Sequence, residues 1–149
     1  METQKIIRRK KVMPVVAVIF DDQGRILLTQ RNAPGKLQVH EKWQFAGGGL
    51  EFGEHPRETV MREVKEEIGV TIDLATKHPM VYIHVFKPSV HVTILAFPAK
   101  YIAGTIDTSH DRQTKDARWF TYEEIDWQNT LPNTQEIIDE ARTFIVSSE

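Results

Sequence analysis

GGGLEFGEHPRETVMREVKEEIGV, residues 47–70, opens on three glycines and carries six glutamates through the remainder. The whole chain has a formal net charge of only −2 over 149 residues. So many acids in one stretch of a nearly neutral protein need a physical reason. The segment predicts a helix. Pro56 fits a first turn, where a missing N–H costs nothing. Val60, Met61, Val64 and Ile68 recur at helical spacing as one apolar stripe. Gly69 suits the left-handed cap. On this helix Glu63 and Glu67 are i, i+4 neighbours, and Glu66 lies three residues after Glu63. All three fall within an arc of roughly 100°. Glu67 sits beside the apolar stripe, and Glu66 lies further out, next to Arg62.

Like charges at this spacing repel, and acids in a last turn face the negative end of the helix dipole. The arrangement asks for a cation. Carboxylates without His or Cys favour a hard ion, Mg²⁺ or Mn²⁺. Gly47, Gly48 and Gly49, lacking side chains, let backbone groups approach a metal or phosphate closely. A lone pair of such glutamates would read more simply as a solvated face beside a flexible turn.

Around this segment lie strands. PVVAVIF (residues 14–20) is a β-branched apolar run, expected to be buried on both faces. DDQG (21–24) turns it back into RILLTQR (25–31), a hairpin. NAPGKLQVHEK (32–42) is a loop, and WQFAGGG (43–49) a short aromatic strand running into the glycines. PMVYIHVF and VHVTILAF are strands joined by KPS (87–89). Residues 105–116 read as a polar loop, followed by the strand ARWF. Thr121 and Glu124 have capping-box spacing for a turn of helix. Ile137, Ile138, Ala141, Phe144 and Ile145 mark a C-terminal amphipathic helix. Strands mixed with two helices predict an α/β or α+β domain, a central sheet with helices packed on it.

Length fits a single domain over residues 1–149. Hydrophobic content of 40% and charged content of 27% are ordinary for a globular protein. Cysteine is absent, which excludes disulfides and thiolate metal sites. The apolar run Val12–Phe20 is broken by Pro14 and too short to span a bilayer. Basic residues Lys5, Arg8, Arg9, Lys10 and Lys11 precede it without a signal-type apolar region. Cytoplasmic residence is the expectation. The basic run reads as a solvated arm or a charged edge strand rather than a nucleic-acid patch.

The full spacing of the acidic segment is G-x5-E-x7-R-E-U-x-E-E-x-G-U, with U apolar. It is met without departure by Gly48, Glu54, Arg62, Glu63, Val64, Glu66, Glu67, Gly69 and Val70. This resembles the Nudix box of the MutT-like pyrophosphohydrolases. GRILLTQR before it and ARWFTYEEI after it resemble the family's flanking strands. The resemblance implies a Nudix fold, a mixed β-sheet sandwiched between α-helices, and metal-dependent hydrolysis of a nucleoside diphosphate linked to another moiety. It implies Glu63 and Glu67 as principal metal ligands, Glu66 sharing that role, and the Gly47 carbonyl as backbone ligand. Arg62 matches the arginine that orients the glutamates. Glu54 matches an upstream acid that is structural or binds a second metal. Glu66 or Glu67 is the leading general base, with Asp111 and Asp116 in the loop where a distant acid sometimes serves. Ala46 stands where the family commonly has proline.

Substrate choice lies outside the box. Arg31 and Lys36 are candidates for phosphate or sugar, and Phe45 or Trp43 for stacking on a base. Gly48 is a candidate for close approach by the substrate. His91 and Thr93 share a strand face and resemble an H-x-V-T-I-like strand of some triphosphate-cleaving members. LLTQRNAPGK begins like the coenzyme A pyrophosphatase signature but does not complete it. Phe86, not proline, stands sixteen residues past the box, which weighs against the common ADP-ribose subgroup. The expected substrate is therefore a small-molecule nucleotide, a (deoxy)nucleoside triphosphate giving monophosphate and pyrophosphate. ADP-ribose or a nucleotide sugar comes next, and a non-catalytic nucleotide-binding module is the reading from another class. No membrane or stable nucleic-acid partner is expected. A homodimer is compatible with the sequence.

Overall fold

The computed structural model describes residues 8–146; Lys5 of the basic run lies outside them. In chain order the elements are β1 (Lys10–Val12), β2 (Pro14–Phe20), β3 (Ile26–Arg31), β4 (Trp43–Gln44), β5 (Ala46–Gly49), α1 (Pro56–Ile68), β6 (Thr71–Leu74), β7 (Met80–Phe86), β8 (Val90–Ala103), β9 (Thr114–Phe120) and α2 (Thr134–Val146). Single 3₁₀ turns occupy Tyr122–Glu124, with the expected Thr121/Glu124 capping box, and Trp127–Asn129.

The strands form one mixed sheet, with β8 running parallel to β1 and β2 and antiparallel to β6 and β7. Alternation along β2 feeds both faces. Val15, Ala17 and Ile19 pack with Val60, Val64 and Ile68 of α1. Val18 and Phe20 pack with Ile137, Ile138 and Ala141 of α2. The sheet is thus sandwiched between the two helices. Each fully buried aliphatic side chain on α1 contributes about 1.5–3 kcal/mol. That anchors the helix against the repulsion among its acids. Met61, expected in the stripe, is 38% exposed. It stands about 100° round the helix from Val60, and Thr59 is buried on that helix.

The hairpin forks. β2 meets β3 only at Ile19↔Leu27 and Phe20↔Ile26. Its other half, Pro14–Ala17, pairs with β5, and β3 pairs with β4 at Thr29 and Gln30. Residues 43–49 therefore enter between the two arms, and the glycines become part of a strand, beneath α1. The strand VHVTILAF extends through Pro98 to Ala103. Pro98 falls where the outer partner changes from β7, last paired at Ala96, to β6, first paired at Ala99. A residue without an N–H is tolerated at such a junction. Residues 114–116, expected as loop, belong to β9, and β6 is a strand beyond those the sequence pattern predicts. Among the described residues no helix is long and apolar enough to cross a membrane.

Candidate active site

The glycine strand is built to lie against its neighbours. A β-carbon at Gly47 would stand 2.1 Å from the Val15 carbonyl oxygen, and its φ of +153° disfavours any side chain. Gly47 N–H donates to Glu67 Oε2 at 3.1 Å. Gly48 abuts Glu63 across from it. Helix α1 begins at His55, whose Nδ1 accepts from Arg57 N–H, and ends on Gly69 at φ +75°.

Arg62 is the hub of the acidic face. Its Nε and Nη2 fork onto Glu54 at 2.9 and 2.8 Å. Its Nη1 reaches Glu63 Oε1 and Glu66 Oε2, each at 3.1 Å. Thr59 Oγ1 adds a donor to Glu54 at 2.7 Å. The Arg62 and Thr59 hydrogen bonds hold the Glu54 carboxyl down at about 2, and the same contacts raise Arg62 further. Both Glu54 oxygens are thus engaged by the protein itself. Arg62 holds Glu66 as expected, and Glu63 as well, but its hydrogen bonds do not extend to Glu67.

Glu67 is the acid set into the core, at 7% exposure. Its oxygens accept from Gly47 N–H and, at 3.2 Å, from Thr114 Oγ1. Burial pushes its carboxyl up to about 7, against the pull of the Gly47 N–H, with the nearby Asp111 charge adding to the rise.

Glu63, Glu66, Glu67 and Gly47–Gly49 line a cleft of about 500 Å³. Arg31, Phe45, Asp111 and Thr114 line it too. A groove of about 820 Å³ adjoins it, sharing Pro14, Val16, Arg31, Gln44, Phe45 and Gly49. That groove is mainly apolar, lined by residues such as Val12, Phe86 and Ile94, with Lys10 and Lys36 also on its wall. Arg31 stands where the two meet, and its Nε is buried without a hydrogen-bond partner.

The structure therefore brings together Gly47, Gly48, Glu63, Glu66, Glu67, Arg31 and Phe45. It does not bring His91 there. His91 pairs with Val85 and Lys11 and lies on the sheet face opposite Val90 and Val92, which line the groove. Trp43 packs edge-on against Phe120 and lines neither cavity. Asp116 is bound to Arg118 at 2.7 Å, outside the cleft. The cleft wall also includes Thr114, His110 and Gln113, none of them among the expected site residues. His110 and Gln113 sit in a polar loop, and Thr114 opens β9 directly after it, with no periodicity to point at any of them.

The donor set suits a hard divalent cation. Glu67 is a buried acid outside Arg62's reach, and Glu63 Oε2 stays beside Gly48. Among the described residues no three acids or imidazoles are already gathered as a metal cage, and Arg62 engages one oxygen each of Glu63 and Glu66. An open set of this kind fits Mg²⁺ or Mn²⁺, which keep waters and share substrate phosphates, better than a fully caged ion.

The NUDIX domain model matches residues 10–141. The chain is 42% identical over 60 residues to the CTP pyrophosphohydrolase of Escherichia coli (strain K12), covering 40% of this chain and 43% of that protein. It is 35% identical over 89 residues to the 8-oxo-dGTP diphosphatase of Proteus vulgaris, covering 60% of this chain and 76% of that one. The first of these matches thus spans under half the relative's length. Among solved structures, a MutT NUDIX hydrolase from Burkholderia pseudomallei superposes with a TM-score of 0.74 at 23% identity, over 87% of this chain and 96% of the other. A likeness at that identity speaks for the fold. With the family model covering most of the chain and Gly48, Glu63, Glu66 and Glu67 of the box lining one cleft, the protein belongs to the NUDIX family.

Proposed function

We propose that this protein hydrolyses a pyrophosphate bond in a (deoxy)nucleoside triphosphate, releasing monophosphate and pyrophosphate. The observation that carries the reading is the meeting of the acidic helix face and the glycine strand in one cleft. That cleft opens past Arg31 into an apolar groove. A polyphosphate suits the first half and a base the second.

In this reading Glu63, Glu66 and Glu67, with the Gly47 carbonyl, hold Mg²⁺ or Mn²⁺. The ion, when bound, neutralises phosphate charge and makes water a better nucleophile. Arg62 keeps Glu63 and Glu66 in place through its Nη1, itself braced by the fork onto Glu54. Glu66 is 61% exposed at its side chain, and Arg62 engages its Oε2. Its Oε1 takes the proton of the attacking water. Arg31, with an unpartnered buried Nε, meets a phosphate oxygen. Phe45 packs against the base.

Turnover of a nucleotide panel in ¹⁸O-labelled water with Mg²⁺ tests this. The expected products are nucleoside monophosphate and pyrophosphate, with label on phosphorus. Orthophosphate with nucleoside diphosphate would overturn the triphosphate assignment. Turnover of ADP-ribose or a nucleotide sugar in preference to triphosphates would shift the substrate class. Tight binding with no turnover would leave the domain a nucleotide-binding module.

A further inference from the structure

Thr114 opens β9 with a buried side chain. Its hydroxyl lies 3.2 Å from Glu67 Oε1 on α1 and 2.8 Å from Asp111 Oδ2 in the preceding loop. Asp111 is itself fixed: its Oδ1 accepts from Gln113 N–H at 2.9 Å, and its carbonyl accepts from Thr114 N–H at 3.4 Å. Asp111 is thus an aimed acid at the cleft wall, not a solvated loop residue.

A threonine hydroxyl has a single proton to donate. Two carboxylates face this one, so at any moment one oxygen pair is left without its hydrogen bond. Glu67 has Gly47 N–H on Oε2 and, on Oε1, the Thr114 hydroxyl that it shares with Asp111. Removing the hydroxyl would free Oε1 and leave two acids facing each other with nothing between them.

We propose that Thr114 is a positioning residue, whose hydroxyl clasps the loop acid Asp111 to Glu67 and so sets the carboxylate geometry that receives the divalent cation. This rests on the reading of the helix acids as cation-holding residues. Thr114 acts through Glu67 and Asp111 and has no part in the chemistry itself. Groups that orient a metal ligand typically carry 10–100-fold in metal affinity.

The test is calorimetric titration of the substrate-free protein with Mn²⁺ alone, beside steady-state kinetics. Thr114→Val should weaken Mn²⁺ by about tenfold or more and lower kcat with little change in KM. Thr114→Ser, which keeps the hydroxyl, should restore affinity to within about threefold. Asp111→Asn should weaken Mn²⁺ as well, and the Thr114→Val/Asp111→Asn double variant should lose less than the product of the two single losses. Wild-type affinity in Thr114→Val overturns the proposal. So does a Thr114→Ser protein as weak as Thr114→Val, which would make the methyl packing the cause. Fully multiplicative losses overturn the clasp. If Thr114→Val does not fold, wild-type affinity in Asp111→Asn overturns it instead. Glu67→Gln separates the two levels. Unchanged Mn²⁺ binding there sinks the cation reading itself, whereas lost binding in Glu67→Gln with wild-type binding in Thr114→Val sinks only the role of Thr114.

Discussion

A β-carbon placed on Gly48 would stand 2.6 Å from the carboxyl carbon of Glu63. The glycine strand and the acidic helix α1 touch there through the absence of a side chain. The neighbour that must yield is the far end of a flexible glutamate, so the fold survives and the carboxylate moves. Gly48→Ala is expected to keep its thermal midpoint within a few degrees and lose about tenfold or more in kcat. Gly47→Ala meets backbone instead, at 2.1 Å from the Val15 carbonyl oxygen. It is expected to lose about 3 kcal/mol or more of stability. Denaturant unfolding and kinetics on the two variants check the contrast. Equal destabilisation by both would refute it.

Arg62 supplies a planar fork to Glu54 and a third nitrogen to Glu63 and Glu66. Lysine keeps the charge but cannot span all three. Arg62→Lys is expected to lower kcat by about 10–100-fold with KM little changed. An effect confined to KM would mean that Arg62 touches substrate.

Glu67 gives the metal-free protein a pH dependence. Its carboxyl lies near 7 in the fold against an ordinary value of 4.5, so the folded state holds a proton that the unfolded state releases. Stability is then greatest below about 4.5, falls as pH rises towards 7, and levels off above, by about 3 kcal/mol in all. Glu54 acts in the other direction and in another window. Its stabilisation is present above 4.5 and lost as pH falls through about 2. Unfolding of the metal-free protein between pH 4.5 and 8 should show the decline, and Glu67→Gln should flatten it while cutting turnover about 10²-fold or more. A wild-type slope in Glu67→Gln would assign the effect elsewhere.

Arg31 carries an unpaired Nε at the neck between cleft and groove. Arg31→Met fills similar space without the donor. KM for a nucleoside triphosphate is expected to rise about tenfold or more, with a thermal midpoint unchanged or higher, since a buried unsatisfied group is removed. An unchanged KM would place the phosphates elsewhere.

Much of the site could be read from the chain because it is local. Gly48, Glu63 and Glu67 fall within one segment, and helical periodicity alone puts Glu63, Glu66 and Glu67 on one arc. The buried face of β2 was legible for the same reason, as a continuous β-branched run. What escaped depends on distant partners. Nothing near Thr114 announces that its hydroxyl meets Glu67, 47 residues away. His91 sits in a persuasive local pattern, yet strand alternation turns it to the wrong face. Pro98 made β8 look finished at Phe97, because the change of outer partner that tolerates it is a tertiary fact. Four-residue β6 offers only Ile72 and Leu74 as signal, too little alternation to stand out.

The parallel register that sets Val15 beside Leu95 joins positions eighty residues apart. The acidic helix and the strands beneath it, residues 14–68, are synthesised before that partner leaves the ribosome. The nascent chain must therefore keep one edge of β2 waiting while β8 is made, with apolar Val15 and Ala17 only half sheltered. Pairings of such separation slow folding relative to local contacts. Substitutions in β8 that leave every acid in place can thus govern how much active protein a cell accumulates.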